Sequence, residues 1–387
     1  MSLLSPDAFT HVKGQTFLAV FGKHPGWSDF MDDIGMETET LIVAKRVLYV
    51  KGIASQIETG AWAKLESDKR LADFNHVFLW RRPEELLVGR IWSSMDAKGR
   101  KEYPMVACAD CISMPLGWVL SEMLPKLDEI RAVCQATRAA GEVISILSKE
   151  QNAIRERMNG SFKAPPNAPE RRTARARFLD RHEWGPNREG LYRILHQMHG
   201  QLAAYSFGKL KTLSDTVFLR KTLLGETAAL AQQIRVPQAT DTPADAFRQW
   251  YDFFLHKLDA AAPVLFVLNL ERHWLDITVG EPTNQEFFSL KASQVALPLA
   301  SEVPYALDEE SLAFARDFLV SYQNSNSGSN RTATGRKQLE AGLLLLLLLA
   351  ACFAGYLRFA PAEYIPRFLH GAAETFGNPT VLLSTPS

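Results

Sequence analysis

Cysteine is scarce in this chain: four among 387 residues, Cys108, Cys111, Cys134 and Cys352. That is too few for the disulfide framework on which small secreted domains depend, and it points to a reducing compartment. No charge of one sign is in excess. Lys+Arg 43 balance Asp+Glu 43, a formal net charge of zero, so composition builds in no general attraction to nucleic acid or acidic surfaces. The start, Met1 to Lys13, lacks the basic residues and apolar run of a signal peptide. No Gly-x-Ser-x-Gly elbow occurs, and Gly22-Lys23 lacks the upstream glycine and following Ser/Thr of a phosphate-cradling loop.

What is present is an ordinary globular composition, 47% hydrophobic, in a chain long enough for two domains and connectors. Thr16 to Gly22 reads as a buried strand ended by glycine. Val43, Val47, Val50, Ala54, Ile57 and Ala61 recur at helical spacing. His76–Arg81 and Glu85–Trp92 read as adjacent strands with a tight connection, and Pro104–Ala109 as another strand. Leu116–Glu150 turns helical, broken near Pro125. Downstream, Leu191–Tyr205, Thr222–Ile234 and Ala244–Leu258 are predicted helices, Val264–Leu270 and Trp274–Val279 paired strands, and Asp308–Tyr322 a helix with Asp308 as its N-cap. The order helix, strand, turn, strand occurs at Val43–Ala109 and again at Ala244–Val303. Either a degenerate internal duplication or common α/β grammar produces it.

The C-terminal part departs from the average. Ala341–Leu357 (AGLLLLLLLAACFAGYL) carries no charge. As a helix it reaches about 26 Å, just short of a hydrocarbon core of about 30 Å, with Arg358 able to snorkel. The expected organisation is an α/β domain over 1–156, an Arg/Pro-rich connector over 157–190, a second α/β domain over 191–322, a flexible linker over 323–338, a transmembrane helix over 339–360 and a tail over 361–387. Basic residues Arg331, Arg336 and Lys337 before the run favour a body in the cytoplasm and an inner-membrane anchor.

Two polar blocks carry the candidate functional residues. The first, Gly22-Lys23-His24-Pro25-Gly26-Trp27-Ser28-Asp29-Phe30-Met31-Asp32-Asp33, follows the first predicted strand, where ligand loops of α/β proteins sit. His24 with Asp29 imitates an acid/base pair, but a structured turn is the plainer reading. The second, Ser93 to Pro104, links two predicted strands. Ser94 or Asp96 bonding to backbone amides would organise it, and Gly99 suits a left-handed position. Arg100 is placed to pair with a carboxylate, either Asp29 or one on a partner. Cys108-Ala-Asp-Cys111 has redox or half-zinc spacing but no second pair, which favours buried thiols. His196 and His199 lack a third ligand, and the arginine run 171–181 lacks the interleaved aromatics of a nucleic-acid surface. No metal, cofactor or nucleic acid is therefore expected.

The two blocks resemble those of the TagF/ImpM family associated with type VI secretion systems. Gly22, Lys23, Pro25, Asp29 and Phe30 match that family's first block, with Ser28 in place of a glycine. Ser94, Asp96, Gly99, Arg100, Tyr103 and Pro104 match its second, with Ser93 for a proline, Met105 for a leucine and one extra residue between Arg100 and Tyr103. The resemblance covers roughly residues 15–150. It implies a three-layer α/β/α sandwich without a catalytic centre, and a post-translational repressor that acts by binding type VI secretion components through a forkhead-associated scaffold protein. These matching residues are then the partner-binding candidates. The competing readings are a hydrolase using Asp29, His24 and Asp96, and a structural subunit of a membrane complex.

Overall fold

The computed structural model describes residues 14–157, 168–199, 233–256, 258, 262–303 and 307–325. Seven strands form one antiparallel sheet: β1 (Gln15–Gly22), β2 (Asn75–Arg82), β3 (Glu85–Trp92), β4 (Met105–Ile112), β5 (Gln233–Pro237), β6 (Val264–Asn269) and β7 (Trp274–Val279), in the spatial order β1-β4-β3-β2-β6-β7-β5. These strands read as nearly continuous apolar runs because both faces of the sheet are covered.

Along β2, Val77 and Leu79 point into one core, while Phe78 and Trp80 point into the other. Period-two alternation thus feeds two hydrophobic layers. Helix α1 (Glu39–Ala44) continues as a π-helix over Lys45–Ala54 and closes with a turn at Ser55–Glu58. It covers one face through Leu41, Leu48 and Ile53. The wide π-turns bring Gly52 against the Phe287 ring, where a Cβ would lie 2.5 Å from a ring carbon. The other face is covered by α2 (Leu116–Trp118, a π-turn at Val119–Met123, then Leu124–Ala136), α3 (Ala140–Arg157), α4 (Ala168–Leu179), the helical run α5 over 189–199, α6 (Pro243–Phe254) and α7 (Glu309–Asn324).

This corrects the expected fold class. A three-layer sandwich confined to residues 1–156, with a second α/β domain beside it, is replaced by one sheet that both segments build. The join is β2 against β6, from His76↔Asn269 to Arg81↔Val264. Pairing across nearly two hundred residues leaves no local mark in the sequence, so the two halves look separable when read along the chain. A degenerate repeat fails on the same geometry. α1 and α6 each precede a hairpin, yet they pack on opposite faces of the sheet.

The expected anchor is corrected as well. No helix among the described residues is long and apolar enough to cross a membrane. The run Ala341–Leu357 lies outside the described residues, as do the linker from Asn326 onward and the tail. The inner-membrane placement drawn from that run does not stand.

Two smaller corrections concern residues 157–190 and the predicted helix Thr222–Ile234. From Ala168 the arginine-rich segment is helix α4, which buries Phe178, Leu179 and then Trp184. Arg175 pairs with Asp252 of α6 through two nitrogens, at 2.6 and 2.7 Å. Of the second segment, the part from Gln233 onward is strand β5 and the rest lies outside the described residues. The break expected near Pro125 falls instead at Thr137–Ala139, after an unbroken run from Leu116 to Ala136, and the first helix buries Leu41, Leu48 and Ile53 while Val50 of the expected stripe is exposed, because its π-turns shift the period. The predicted helix Leu191–Tyr205 is described as far as His199, and Asp308 caps α7 as expected by accepting from the Ser311 N–H at 2.7 Å.

The edge of β1 is closed from within. Gln151 of α3 accepts from the Leu18 N–H at 2.6 Å and donates to the Thr16 carbonyl at 2.9 Å, so one side chain stands in for a missing strand. Further along, Val20 and Ile34 exchange backbone bonds at 3.0 and 3.1 Å.

Candidate functional site

Both polar blocks lie at the same end of the sheet, where β1 ends, β3 ends and β4 begins. Gly22 leaves β1 at φ +118°, and a Cβ there would sit 2.4 Å from the Pro104 carbonyl oxygen. Only glycine allows this approach. It lets the Lys23 N–H donate to Pro104 O at 3.2 Å, while Met31 N–H returns to Gly22 O at 2.9 Å. The first block is thereby folded into a closed loop beside the second. That second loop turns at Gly99, φ +77°, the left-handed position expected for it.

Asp96 organises the loop from inside. Its Oδ1 accepts from the N–H groups of Lys98 and Arg100 at 2.9 and 3.1 Å. Its Oδ2 takes Lys23 Nζ at 3.0 Å and Arg100 Nε at 2.6 Å. Asp29 closes the cluster: Lys23 Nζ bonds it, and Arg100 Nη2 donates to it at 2.9 Å and to Ser28 O at 3.1 Å. The four residues form a ring of two cations and two carboxylates, with Lys23 and Asp96 buried and Asp29 and Arg100 exposed. Burial by itself raises the Asp96 carboxyl, but hydrogen bonds from Lys23 and Arg100 outweigh it and hold it well below the usual carboxylate range. The Lys23 hydrogen bond likewise holds Asp29 low.

Aromatic rings wall the ammonium. Lys23 Nζ lies 3.9 Å from the Phe30 centroid and 5.9 Å from that of Tyr103. Phe30 meets Tyr103 edge to face at 5.0 Å and Tyr49 at 6.2 Å. Tyr49 is fixed by donating to Pro104 O at 2.9 Å. Phe30 keeps 45% of its surface in solvent, a large exposed apolar side chain at the rim of a fully paired charge cluster.

Of the sequence candidates, Gly22, Lys23, Asp29, Phe30, Asp96, Gly99, Arg100, Tyr103 and Pro104 come together here. Pro25 sits half-buried in the first loop. Ser94 joins none of these pairs; its neighbour Ser93 is the serine used, accepting from the Phe74 N–H at 2.8 Å. Tyr49 was not among the candidates, because on a helix its aromatic ring reads as core.

His24 points away from the carboxylates. It is fully buried, accepts the Gly26 N–H on Nδ1 at 3.0 Å, and so carries its proton on Nε2, which donates to Cys134 O at 2.9 Å. Burial lowers its pKa, favouring the neutral ring. Both nitrogens are occupied, so His24 supplies neither acid nor base to Asp29 or Asp96. Two cavities lie elsewhere and include none of these side chains: one of about 510 Å³ beside Val47, Lys51 and Pro282, another of about 1030 Å³ between α4 and α6.

Cys108 and Cys111 are buried on opposite faces of β4, in different cores, and burial pushes both thiols up. That geometry suits neither a disulfide nor a shared metal. Among the described residues no group of three or more His, Cys, Asp or Glu is placed to hold a metal ion. His199 stacks on Phe314 at 4.3 Å. No protein-family model matches this chain, and no curated protein matches it.

Proposed function

We propose that this protein is a non-enzymatic regulator of a type VI secretion system, related to the TagF/ImpM proteins, and that it acts by protein–protein binding through the face built by residues 22–33 and 93–104. A forkhead-associated scaffold protein is the proposed partner and restraint of assembly the proposed effect. One observation carries the reading: the two blocks that resemble the family, about seventy residues apart, meet in a single ion-paired ring. Their shared residue types therefore have a joint structural reason, which is to fix two loops as one surface.

The two groups best placed for acid–base chemistry, Asp96 and His24, are already engaged. Asp96 accepts four hydrogen bonds, Asp29 is held by two cations, and His24 turns to Cys134. A general base must be able to reach a substrate proton. Here Asp96 is spent on holding the two loops and His24 on Cys134, which supports a binding face over a hydrolytic one.

The test is genetic and has a direct readout. In the source bacterium, deletion of the gene should raise secretion of type VI effectors, and the wild-type chain should restore restraint. The Arg100→Ala variant, expressed at equal level, should fail to do so. Secretion unchanged by the deletion, or full restoration by Arg100→Ala, contradicts the proposal.

A further inference from the structure

One imidazole in this face is held in a way that a single protonation state permits. His24 is 0% exposed, and its two nitrogens meet opposite kinds of partner. Nδ1 accepts the Gly26 N–H at 3.0 Å, while Nε2 donates to Cys134 O at 2.9 Å with the Thr137 hydroxyl 3.3 Å away. A second proton would sit on Nδ1 and turn a donor toward the Gly26 N–H, itself a donor. That contact cannot bond, and a buried imidazolium without a carboxylate beside it is costly. The surroundings hold no such carboxylate. From the first loop come the Gly26 N–H and the Trp27 indole, edge to face at 5.5 Å; from α2 come the Cys134 carbonyl and its buried thiol; from the α2–α3 connection come Thr137 and Arg138. Lys23, the preceding residue, spends its ammonium on Asp29 and Asp96. Burial is the main cause that lowers the His24 pKa, and the Arg138 charge adds to it; the Cys134 carbonyl alone favours the charged imidazole.

The imidazole holds a short stretch of the first loop. The Trp27 N–H donates to His24 O at 3.0 Å, so residues 24–27 form a turn, and Gly26 packs so closely on the α2–α3 connection that a Cβ there would lie 2.7 Å from the Ala140 nitrogen. Trp27 O then accepts the Ala97 N–H at 2.8 Å, the backbone bond that seats this turn on the second loop. Both ends of the stretch are fixed independently, because Lys23 and Asp29 belong to the ion-paired ring. Losing the Gly26 bond therefore frees residues 24–28 while the ring stays closed. The Trp27 corner of the face is what moves.

We infer that His24 is a pH-sensitive latch of this face: the neutral imidazole keeps residues 24–28 seated on the Ala97 turn, and uptake of a second proton by the imidazole releases them. The inference rests on the proposed binding face and names its regulation. Burial sets the direction. In the released stretch His24 meets water and takes up its proton at the ordinary value of about 6.5, whereas in the seated stretch that value is lower. The released form therefore gains a proton first as pH falls below about 6.5, and its population rises about tenfold per pH unit until the seated value is reached. A partner that recognises the seated face is held at neutral pH and shed on mild acidification.

The experiment follows hydrogen–deuterium exchange of the full chain by mass spectrometry from about pH 7.5 to about pH 5, with rates corrected for the intrinsic effect of pH, beside nitrogen NMR of the histidine side chains. At neutral pH the His24 signals should place its proton on Nε2 alone. Protection in the peptides that carry Gly26 and Ala97 should fall about tenfold per pH unit below about 6.5, while β3 stays protected. His24→Asn retains an acceptor for the Gly26 N–H, as in an Asx turn, but does not titrate, so its peptides should keep constant protection. Protection that does not change with pH, the same fall in His24→Asn, or a doubly protonated His24 in a stretch still protected overturns the inference. Should the asparagine variant be unprotected at every pH, the wild type decides alone: protonation of His24 and loss of protection must run together. Neither reading involves the partner or secretion, so the pH response can fail while the deletion phenotype holds, and the reverse.

Discussion

Lys23 Nζ and Asp96 Oδ2 lie 3.0 Å apart although 73 residues separate them in sequence, and their side chains are 3% and 0% exposed. The pair pins the end of β1 to the connection between β3 and β4, and so turns two loops into one rigid rim. A buried carboxylate left without its cation, or a buried ammonium without its carboxylates, is strongly unfavourable.

The first prediction follows from that pair. Asp96→Ala removes four accepted hydrogen bonds and leaves Lys23 with Asp29 alone, so it should lower the melting temperature by several degrees and loosen both loops. Because the Asp96 pKa is depressed in the folded state, its contribution is present above the ordinary carboxylate range and is lost only as pH falls through a more acidic folded value. Thermal unfolding followed from pH 7 to pH 4 should therefore show the wild-type advantage over Asp96→Ala persisting across that interval.

Asp110 gives the opposite sign. It is fully buried in β4, with Oδ2 accepting from the Thr38 hydroxyl at 2.8 Å and Oδ1 unpartnered. Burial raises its pKa from 3.8 to about 6. The folded state then binds the proton more tightly than the unfolded one, so the contribution of Asp110 to stability is full below about pH 4 and is lost as pH rises through 6. Two units correspond to about 3 kcal/mol as an upper figure. Denaturant titrations at several pH values should show this slope in the wild type and lose it in Asp110→Asn, whatever constant offset the amide introduces.

Gln151 protects a sheet edge. Gln151→Leu leaves the Leu18 N–H and Thr16 carbonyl unpaired, at about 1–3 kcal/mol for each buried group. Chemical denaturation should show a loss of that order. Light scattering should show concentration-dependent association, because an open edge recruits another strand.

The Arg235–Asp276 pair joins β5 to β7 with bonds of 2.7 and 2.9 Å, both side chains buried, and the guanidinium also donates to carbonyls of Ser289, Ala292, Ser293 and Leu297. Asp276→Asn should cost about 3–5 kcal/mol in denaturant unfolding, the range for breaking a buried pair. Arg235→Met combined with Asp276→Leu should recover only part of that loss, because the segment around residues 289–297 also loses its donor.

How far the sequence could be read depended on how local each signal was. Thr16–Gly22, Glu85–Trp92 and Trp274–Val279 carry their strand character in consecutive residues, and Gly22, Asp96 and Gly99 in turn chemistry that acts within a few positions. The loop residues were therefore identifiable and their meeting foreseeable as one of two options for Arg100. The β2–β6 join had no such signal, since Phe78 and Val267 are apolar whether they neighbour each other or not. Arg175 and Arg235 were hidden for a different reason. A charged side chain reads as solvated until its carboxylate is seen beside it, and Asp252 and Asp276 lie 77 and 41 residues further on. The π-helix broke the 3.6-residue period, so Tyr49, which closes the aromatic wall, read as ordinary core.

The most direct test of the central claim is a calorimetric titration of the purified chain with the forkhead-associated scaffold protein of the same organism, in the wild type and in the Arg100→Ala variant. A binding face built by the two loops predicts saturable binding by the wild type and at least about a tenfold loss in the variant. Absence of binding by the wild type, or equal affinity of the two proteins, contradicts it.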